Sequence, residues 1–152
     1  MTQPGSDTRL DGLSILILED EFLVAIAIED DLQSAGAKET LLARTIAEAR
    51  EIARLRPDCA VLDLRVPDGL SLDLAQELIA AGTSVVFHSG HAEIEELVRV
   101  RGAIVCSKPS LPEELIDAVL ASRRHLEAFS GASIVGASSG PSTPHLRRGS
   151  LR

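Results

Sequence analysis

Five side chains of this 152-residue chain form a chemically complementary set, and each stands at the end of a short apolar run: Glu19, Asp20, Asp63, Ser89 and Lys108. Three carboxylates brought together repel one another and raise each other's pKa unless a cation joins them. A hard divalent ion with oxygen ligands is the natural companion, and Mg²⁺, or Mn²⁺ in its place, keeps several waters and favours phosphate oxygens. A lysine ammonium and a small hydroxyl beside them add a point charge and a hydrogen-bond donor for a phosphoryl group. The combination reads as phosphoryl chemistry on a carboxylate. Lys108 carries extra weight because Lys38 is the only other lysine. Taken singly, Asp63 reads as an ordinary loop-start aspartate and Ser89 as a turn residue before Gly90.

Chemistry of this kind requires a scaffold that brings strand ends together. Apolar runs with strand character at residues 14–18, 39–42, 59–62, 84–88 and 103–107 alternate with longer helical patterns, the signature of an α/β domain with a parallel sheet. The first helix is expected over 21–35, stopped by Gly36 in the left-handed position that glycine takes after a helix. The second and fifth open with Thr45-Ile46-Ala47-Glu48 and Ser110-Leu111-Pro112-Glu113, both with capping-box spacing. The third is expected over 71–81, and a short fourth over 92–100. In an open parallel sheet, ligands bind beyond the carboxyl ends of the strands. Those ends are where Glu19, Asp20, Asp63, Ser89 and Lys108 fall, on an exposed rim outside the core.

The motifs at these ends resemble those of receiver domains of bacterial two-component response regulators. The resemblance runs from about Leu13 to Arg124 and rests on four anchors. They are Ile15-Leu16-Ile17-Leu18-Glu19-Asp20-Glu21, the stretch from Pro57-Asp58 through Asp63-Leu64-Arg65-Val66-Pro67-Asp68-Gly69, Ser89-Gly90, and Ser107-Lys108-Pro109. The fold it implies is a doubly wound, flavodoxin-like sheet of five parallel strands in the order 2-1-3-4-5. Three parts are expected: an N-terminal arm over 1–11, the receiver domain over 12–127 and a disordered tail over 128–152.

The resemblance also implies roles. Asp63 would be the nucleophile that accepts a phosphoryl group from a histidine kinase or a histidine phosphotransfer protein. Asp20 and Asp63 would bind Mg²⁺ directly with the backbone carbonyl of Arg65, and Glu19 would act through water. Lys108 would pair with the phosphoryl oxygens, while Ser89 would hydrogen-bond one of them and draw its loop inward. Arg65 and His91, two residues after Asp63 and Ser89, would tune the lifetime of the phosphorylated state. Val105 stands where the family usually has an aromatic switch residue, so the change is expected to spread through the fourth helix, fifth strand and fifth helix without an aromatic flip, toward a downstream protein. Such a protein acts chemically on itself alone and is not an enzyme. A phospho-aspartyl phosphatase would want a second acid two residues after its nucleophile, where this chain has Arg65. A scaffold that binds without switching would not need the complete set.

Composition narrows the function further. The formal charge is −8, yet no acid follows Glu127 and Arg147, Arg148 and Arg152 do, which leaves an acidic globule with a basic tail and no nucleic-acid surface. With no Trp or Tyr and three Phe, base stacking and flavin binding are disfavoured. The apolar run 22–28 lies between Glu21 and Glu29, too short to span a membrane, and the polar start lacks a signal peptide, so a cytoplasmic protein is expected. Cys59 and Cys106 fall on non-adjacent strands, about 10 Å apart, beyond disulfide reach. His88 and His91 lie on different sides of the chain and make no metal pair, while His125 and His145 read as solvated. From Ser130 onward 13 of 23 residues are Ser, Thr, Gly or Pro, a composition that does not offset ordering entropy. In the first helix, Val24, Ala27, Ile28 and Leu32 are expected to face the sheet. Phe22, Ala25, Ile26 and Glu29 form a second, mostly apolar stripe, expected as the docking face for the phosphodonor.

Overall fold

Five parallel strands form the sheet, and their order decides which residues share its carboxyl rim. In the computed structural model, which describes residues 7–90 and 100–137 with 129–137 as backbone, the chain runs β1 (Ser14–Leu18), α1 (Phe22–Ser34), β2 (Glu39–Ala43), α2 (Ile46–Ala53) and β3 (Cys59–Leu62). There follow a hairpin of β4 (Arg65–Val66) and β5 (Gly69–Leu70), then α3 (Leu72–Ala80), β6 (Ser84–Ser89), β7 (Ala103–Ser107) and α4 (Pro112–Ala137). The main sheet is ordered β2-β1-β3-β6-β7, every neighbouring pair parallel, which is the expected 2-1-3-4-5 arrangement. The fourth helix expected over 92–100 and His91 lie outside the described residues.

Side chains alternate across each strand, so one strand feeds two cores. Leu16, Leu18, Ala60, Leu62, Val85 and Phe87 pack against residues of α2 and α3. Ile15, Ile17, Cys59, Val61, Val86 and Cys106 pack against α1 and α4. Because both faces are covered, the central strands read as unbroken apolar runs. Each fully buried Leu or Ile contributes roughly 1.5–3 kcal/mol relative to exposure. Both cysteines are buried and free.

Local signals account for several helix ends. After α1, Gly36 takes φ +98°, and a Cβ there would come within 2.7 Å of Asp11 Oδ1 and 2.9 Å of the Asp7 carbonyl. At the start of α2 the Thr45 side chain accepts from the Glu48 N–H as expected, but the Glu48 carboxylate accepts from Arg44 N rather than closing the box on Thr45. The capping box expected at Ser110 does not form. The helix opens instead at Pro112, whose fixed φ suits a first helical position. Ser110 Oγ lies 2.9 Å from His88 Nε2, and the Glu113 carboxylate pairs with Arg9.

Three expectations are corrected. The arm over 1–11 is not wholly separate, since Leu10 is fully buried and Arg9 bridges Asp7 and Glu113. The tail expected from 128 begins as a helix: α4 continues to Ala137, and the remaining residues lie outside those described. The docking stripe on α1 is placed differently, because Ala25 is buried with Ile28 and Leu32 while Ala27 is exposed. The exposed apolar residues are Phe22 (68%), Leu23 (81%) and Ile26. The first two turns, Phe22–Ile28, are apolar on every side, so no polar face there sets the rotation in advance.

Candidate functional site

Register places the candidate residues on one rim. Leu18 pairs with Leu62, so Glu19 and Asp63 leave adjacent strands at the same level. The ladder continues past the strands, with Glu19 N donating to Ala43 O (3.0 Å) and Asp63 N to Leu18 O (2.9 Å). Ser89 pairs with Ser107, and Lys108 N donates to Ser89 O (2.8 Å), so the lysine starts directly beyond the serine. Lys108 Nζ lies 2.7 Å from Glu19 Oε2 and 3.2 Å from Asp63 Oδ2. Carboxylate oxygens of Glu19, Asp20 and Asp63 all fall within 4.8 Å of one another.

Burial sets the electrostatics of this cluster. Glu19 is 2% exposed, and removal from water pushes its pKa up; the Lys108 ammonium opposes this and the Asp63 carboxylate adds to it. For Lys108 burial disfavours the charge, but the hydrogen bond to Glu19 and the Asp63 carboxylate outweigh it and raise its pKa. The ammonium is therefore held charged between two acids. Lys108 was expected to be free of the core; in fact its side chain is 26% exposed and serves as counter-ion to an almost fully buried glutamate.

Comparison with known proteins decides the family of this arrangement. No family model matches the chain. Response regulator protein TodT of Pseudomonas putida is 30% identical over 112 residues, covering 70% of this chain and 49% of that protein. Response regulator protein TmoT of Ectopseudomonas mendocina is 29% identical over 110 residues, covering 69% of this chain and 50% of its own. A response regulator receiver domain protein from Clostridium thermocellum superposes with a TM-score of 0.67 at 19% identity, covering 77% of this chain and 98% of that one. The chain is a receiver domain by fold, with response regulators as its curated relatives. It spans about half the length of those relatives.

Within this receiver fold, residues given no role in the sequence hold the site. Ser71, fully buried, donates its Oγ hydrogen to the Asp63 carbonyl at 2.7 Å, and its N–H donates to Leu64 O at 2.9 Å, so the turn after β3 is fastened to the start of α3. Asp68 lies at the turn of the β4–β5 hairpin, where its carboxylate accepts from Ile46 N (2.8 Å) and Ala47 N (3.1 Å) at the start of α2. Those two hydrogen bonds, Ile46 first, hold its pKa below the usual carboxylate value. The only advance signal for either residue was position, one opening a helix and the other following Pro67.

The remaining expected residues divide. Arg65 is exposed on β4, two residues beyond Asp63, where its carbonyl borders the carboxylates in sequence. Val105 is half-buried against the cluster containing Leu62, Leu64 and Phe87. Ser89 is fully buried at the end of β6. Phe22, Ile26 and Glu29 stand on α1, the first two of them exposed, and Ala25 is buried. The donor set on the rim suits a hard divalent ion: each of the three acids offers one oxygen, with a lysine at their edge to limit the charge. Among the described residues no helix is long and apolar enough to cross a membrane.

Proposed function

We propose that the chain is a phospho-accepting signalling domain whose acceptor is Asp63. The observation that carries this reading is Lys108 Nζ lying within 3.2 Å of Asp63 Oδ2 and 2.7 Å of Glu19 Oε2, beside the cluster of three carboxylates. An Asp63 oxygen attacks the phosphorus of a phosphohistidine. A P–O bond forms and the P–N bond breaks, and the donor imidazole leaves with a proton from solvent. Lys108 balances charge on the phosphoryl oxygens, and catalysis is positioning and neutralisation rather than acid–base work.

Asp20, Asp63 and the Arg65 carbonyl would hold Mg²⁺. Glu19 is already engaged at both oxygens, Oε2 by Lys108 and Oε1 by the Glu21 N–H at 3.2 Å, which supports an indirect role through water. When bound, the ion supplies charge neutralisation at the phosphoryl oxygens. Ser89 would follow the phosphoryl group and shift its loop. Arg65, at the position a phosphatase would fill with an acid, supports self-phosphorylation without turnover of a second substrate.

The donor is proposed to be a histidine kinase or histidine phosphotransfer protein. Exposed Phe22, Leu23 and Ile26 on α1, with exposed Leu111 before α4, support a protein donor resting beside the rim. Incubation with acetyl phosphate and Mg²⁺ should add one phosphoryl group to the intact mass, removable by hydroxylamine and absent from Asp63→Asn. An unchanged mass, or equal gain in the variant, would overturn the assignment.

A further inference from the structure

Both α2 and α3 open with a hydroxyl residue, and the two hydroxyls are used differently. Thr45 takes the extended backbone usual for a cap, φ −132° and ψ 159°, and its side chain accepts from the Glu48 N–H. Ser71, at the matching position before α3, takes φ −84° and ψ 12°, and its side chain makes no cap hydrogen bond. The hydroxyl is turned back instead and donates to the Asp63 carbonyl at 2.7 Å, from a residue that is fully buried. The Ser71 N–H donates to Leu64 O at 2.9 Å, one step beyond the Arg65–Leu70 pair of the β4–β5 hairpin. The Asp63–Leu64 and Leu64–Arg65 peptide units separate the acceptor side chain from the Arg65 carbonyl, and Ser71 holds the oxygen of each. A serine that only opened its own helix would need neither contact.

We propose that Ser71 is a positioning residue of the acceptor site, holding the turn after β3 so that the Asp63 carboxylate and the Arg65 carbonyl meet on one divalent cation. The inference rests on the reading of Asp63 as phosphoacceptor and names what sets its geometry. Upstream, the Asp63 N–H is fixed to Leu18 O at 2.9 Å, so the sheet determines where the residue starts. The strand ends there, and downstream the soft dihedrals of Asp63 and Leu64 need a restraint from outside the sheet. Ser71 supplies it from α3, whose Leu74, Ala75 and Leu78 are packed in one core with Leu62 and Leu64. Asp68 fastens the far end of the same hairpin to Ile46 N and Ala47 N, and Ser71 fixes the near end. Because Mg²⁺ demands near-ideal octahedral geometry, a small shift of this turn weakens the metal site more than it weakens the fold. Groups that orient metal ligands typically contribute about 10–100-fold in affinity.

The test is a Mg²⁺ titration of the full chain without any phosphodonor, followed by the amide shifts of Asp20, Asp63 and Leu64. Expected are saturable binding by the wild type, about tenfold weaker binding by Ser71→Ala, and recovery to within about twofold in Ser71→Thr, which keeps the hydroxyl. Ser71→Gly also lacks the hydroxyl, at a cap position that tolerates glycine, and should match Ser71→Ala; it takes the place of the alanine variant if that chain does not fold. Asp58→Ala, destabilised at the opposite end of β3, should bind Mg²⁺ as the wild type does, which separates positioning from stability. Wild-type affinity in Ser71→Ala and Ser71→Gly overturns the proposal, and so does an equal loss of affinity in Asp58→Ala. A wild-type chain that binds no Mg²⁺ at these amides removes the acceptor reading together with the proposal, whereas wild-type binding that the Ser71 variants leave unchanged removes the role of Ser71 alone.

Discussion

Two aspartates bracket β3, Asp58 before it and Asp63 after it, and they are held in opposite ways. Asp58 accepts from Ser14 N through Oδ2 (2.9 Å), and its carbonyl accepts from Ser84 N (3.1 Å) and Arg123 Nη1 (2.6 Å). Around it Thr83 Oγ1 donates to Pro57 O at 2.8 Å and Ser122 Oγ donates to Ser84 Oγ at 3.1 Å. Its carboxylate is tied to the backbone of the next strand, where hydrogen bonds from fixed N–H groups add stability and nothing chemical follows. At the other end the Asp63 backbone is fastened by Leu18 and Ser71, while its side chain faces an ammonium and two more carboxylates. The same residue type on one strand thus serves stability at the amino end and chemistry at the carboxyl end, the division that open parallel sheets impose on their ligands.

The sharpest way to break that division is to exchange the effects of the two aspartates. Asp63→Asn should lower phosphoryl incorporation from acetyl phosphate by about 100-fold or more, since the amide oxygen is a poor nucleophile, and leave the melting temperature close to wild type. Asp58→Ala should do the reverse. Loss of the acceptor for Ser14 N costs about 1–2 kcal/mol, a drop of roughly 3–6 °C for a chain of this size, with incorporation kept. Calorimetry and intact mass on both variants decide it; a stable, inactive Asp58 variant would dissolve the contrast.

Lys108→Ala sharpens the comparison by affecting both properties. Removal of the ammonium leaves the Glu19 carboxylate buried without its partner beside Asp63, so the variant should lose about 1–3 kcal/mol as well as phosphoryl incorporation. Glu19→Gln in the same background should restore part of the stability and none of the activity. A doubly substituted chain no more stable than Lys108→Ala would show that the pair does not carry the cost.

A protein donor probes the rim from outside. Ile26→Asp on exposed α1 should slow transfer from the cognate kinase about tenfold while sparing acetyl phosphate, a loss of roughly 1.4 kcal/mol in docking. Equal loss with both donors would mean that the fold was damaged, and no loss with either that α1 does not meet the donor.

The smallest effect comes from His88. Burial lowers its pKa to about 4, with the Lys108 charge contributing, so the unfolded chain, near 6.5, binds the proton first as pH falls. Stability is therefore unaffected above about pH 7 and declines through the window from about 6.5 to about 4, by about 1 kcal/mol between pH 7.5 and 5.5. His88→Phe should remove that increment, as denaturant melts at the two pH values would show; an unchanged increment would assign it to other groups.

Strand-end position sufficed to bring Glu19, Asp20, Asp63 and Lys108 together and to put Ser89 on the neighbouring strand end, because a parallel sheet turns its carboxyl ends into one rim. The strands and four helix positions were legible from alternating apolar runs, and the sheet order from the resemblance of the strand-end motifs to receiver domains. The rotation of α1 was not, since Leu23, Val24, Ala25, Ile26 and Ala27 offer no polar face to choose by, and it is the sheet that selects Ala25, Ile28 and Leu32. Ser71 and Asp68 were given no role because their partners, the Asp63 carbonyl and the N-terminus of α2, are brought to them only by tertiary folding. The helical continuation to Ala137 ran against the Ser- and Gly-rich composition from 130 onward, where an established helix extends more readily than a new one forms.

The most direct test is the amide NMR spectrum of the chain titrated with beryllofluoride in the presence of Mg²⁺. The account predicts shifts concentrated at Glu19–Asp20, Asp63–Arg65, Ser89–Gly90 and Ser107–Lys108, absent from Asp63→Asn, with the amides of Asp58, Thr83 and Arg123 unmoved. No shift at Asp63 and Ser89, or shifts centred on the Asp58 end of the sheet, would contradict it.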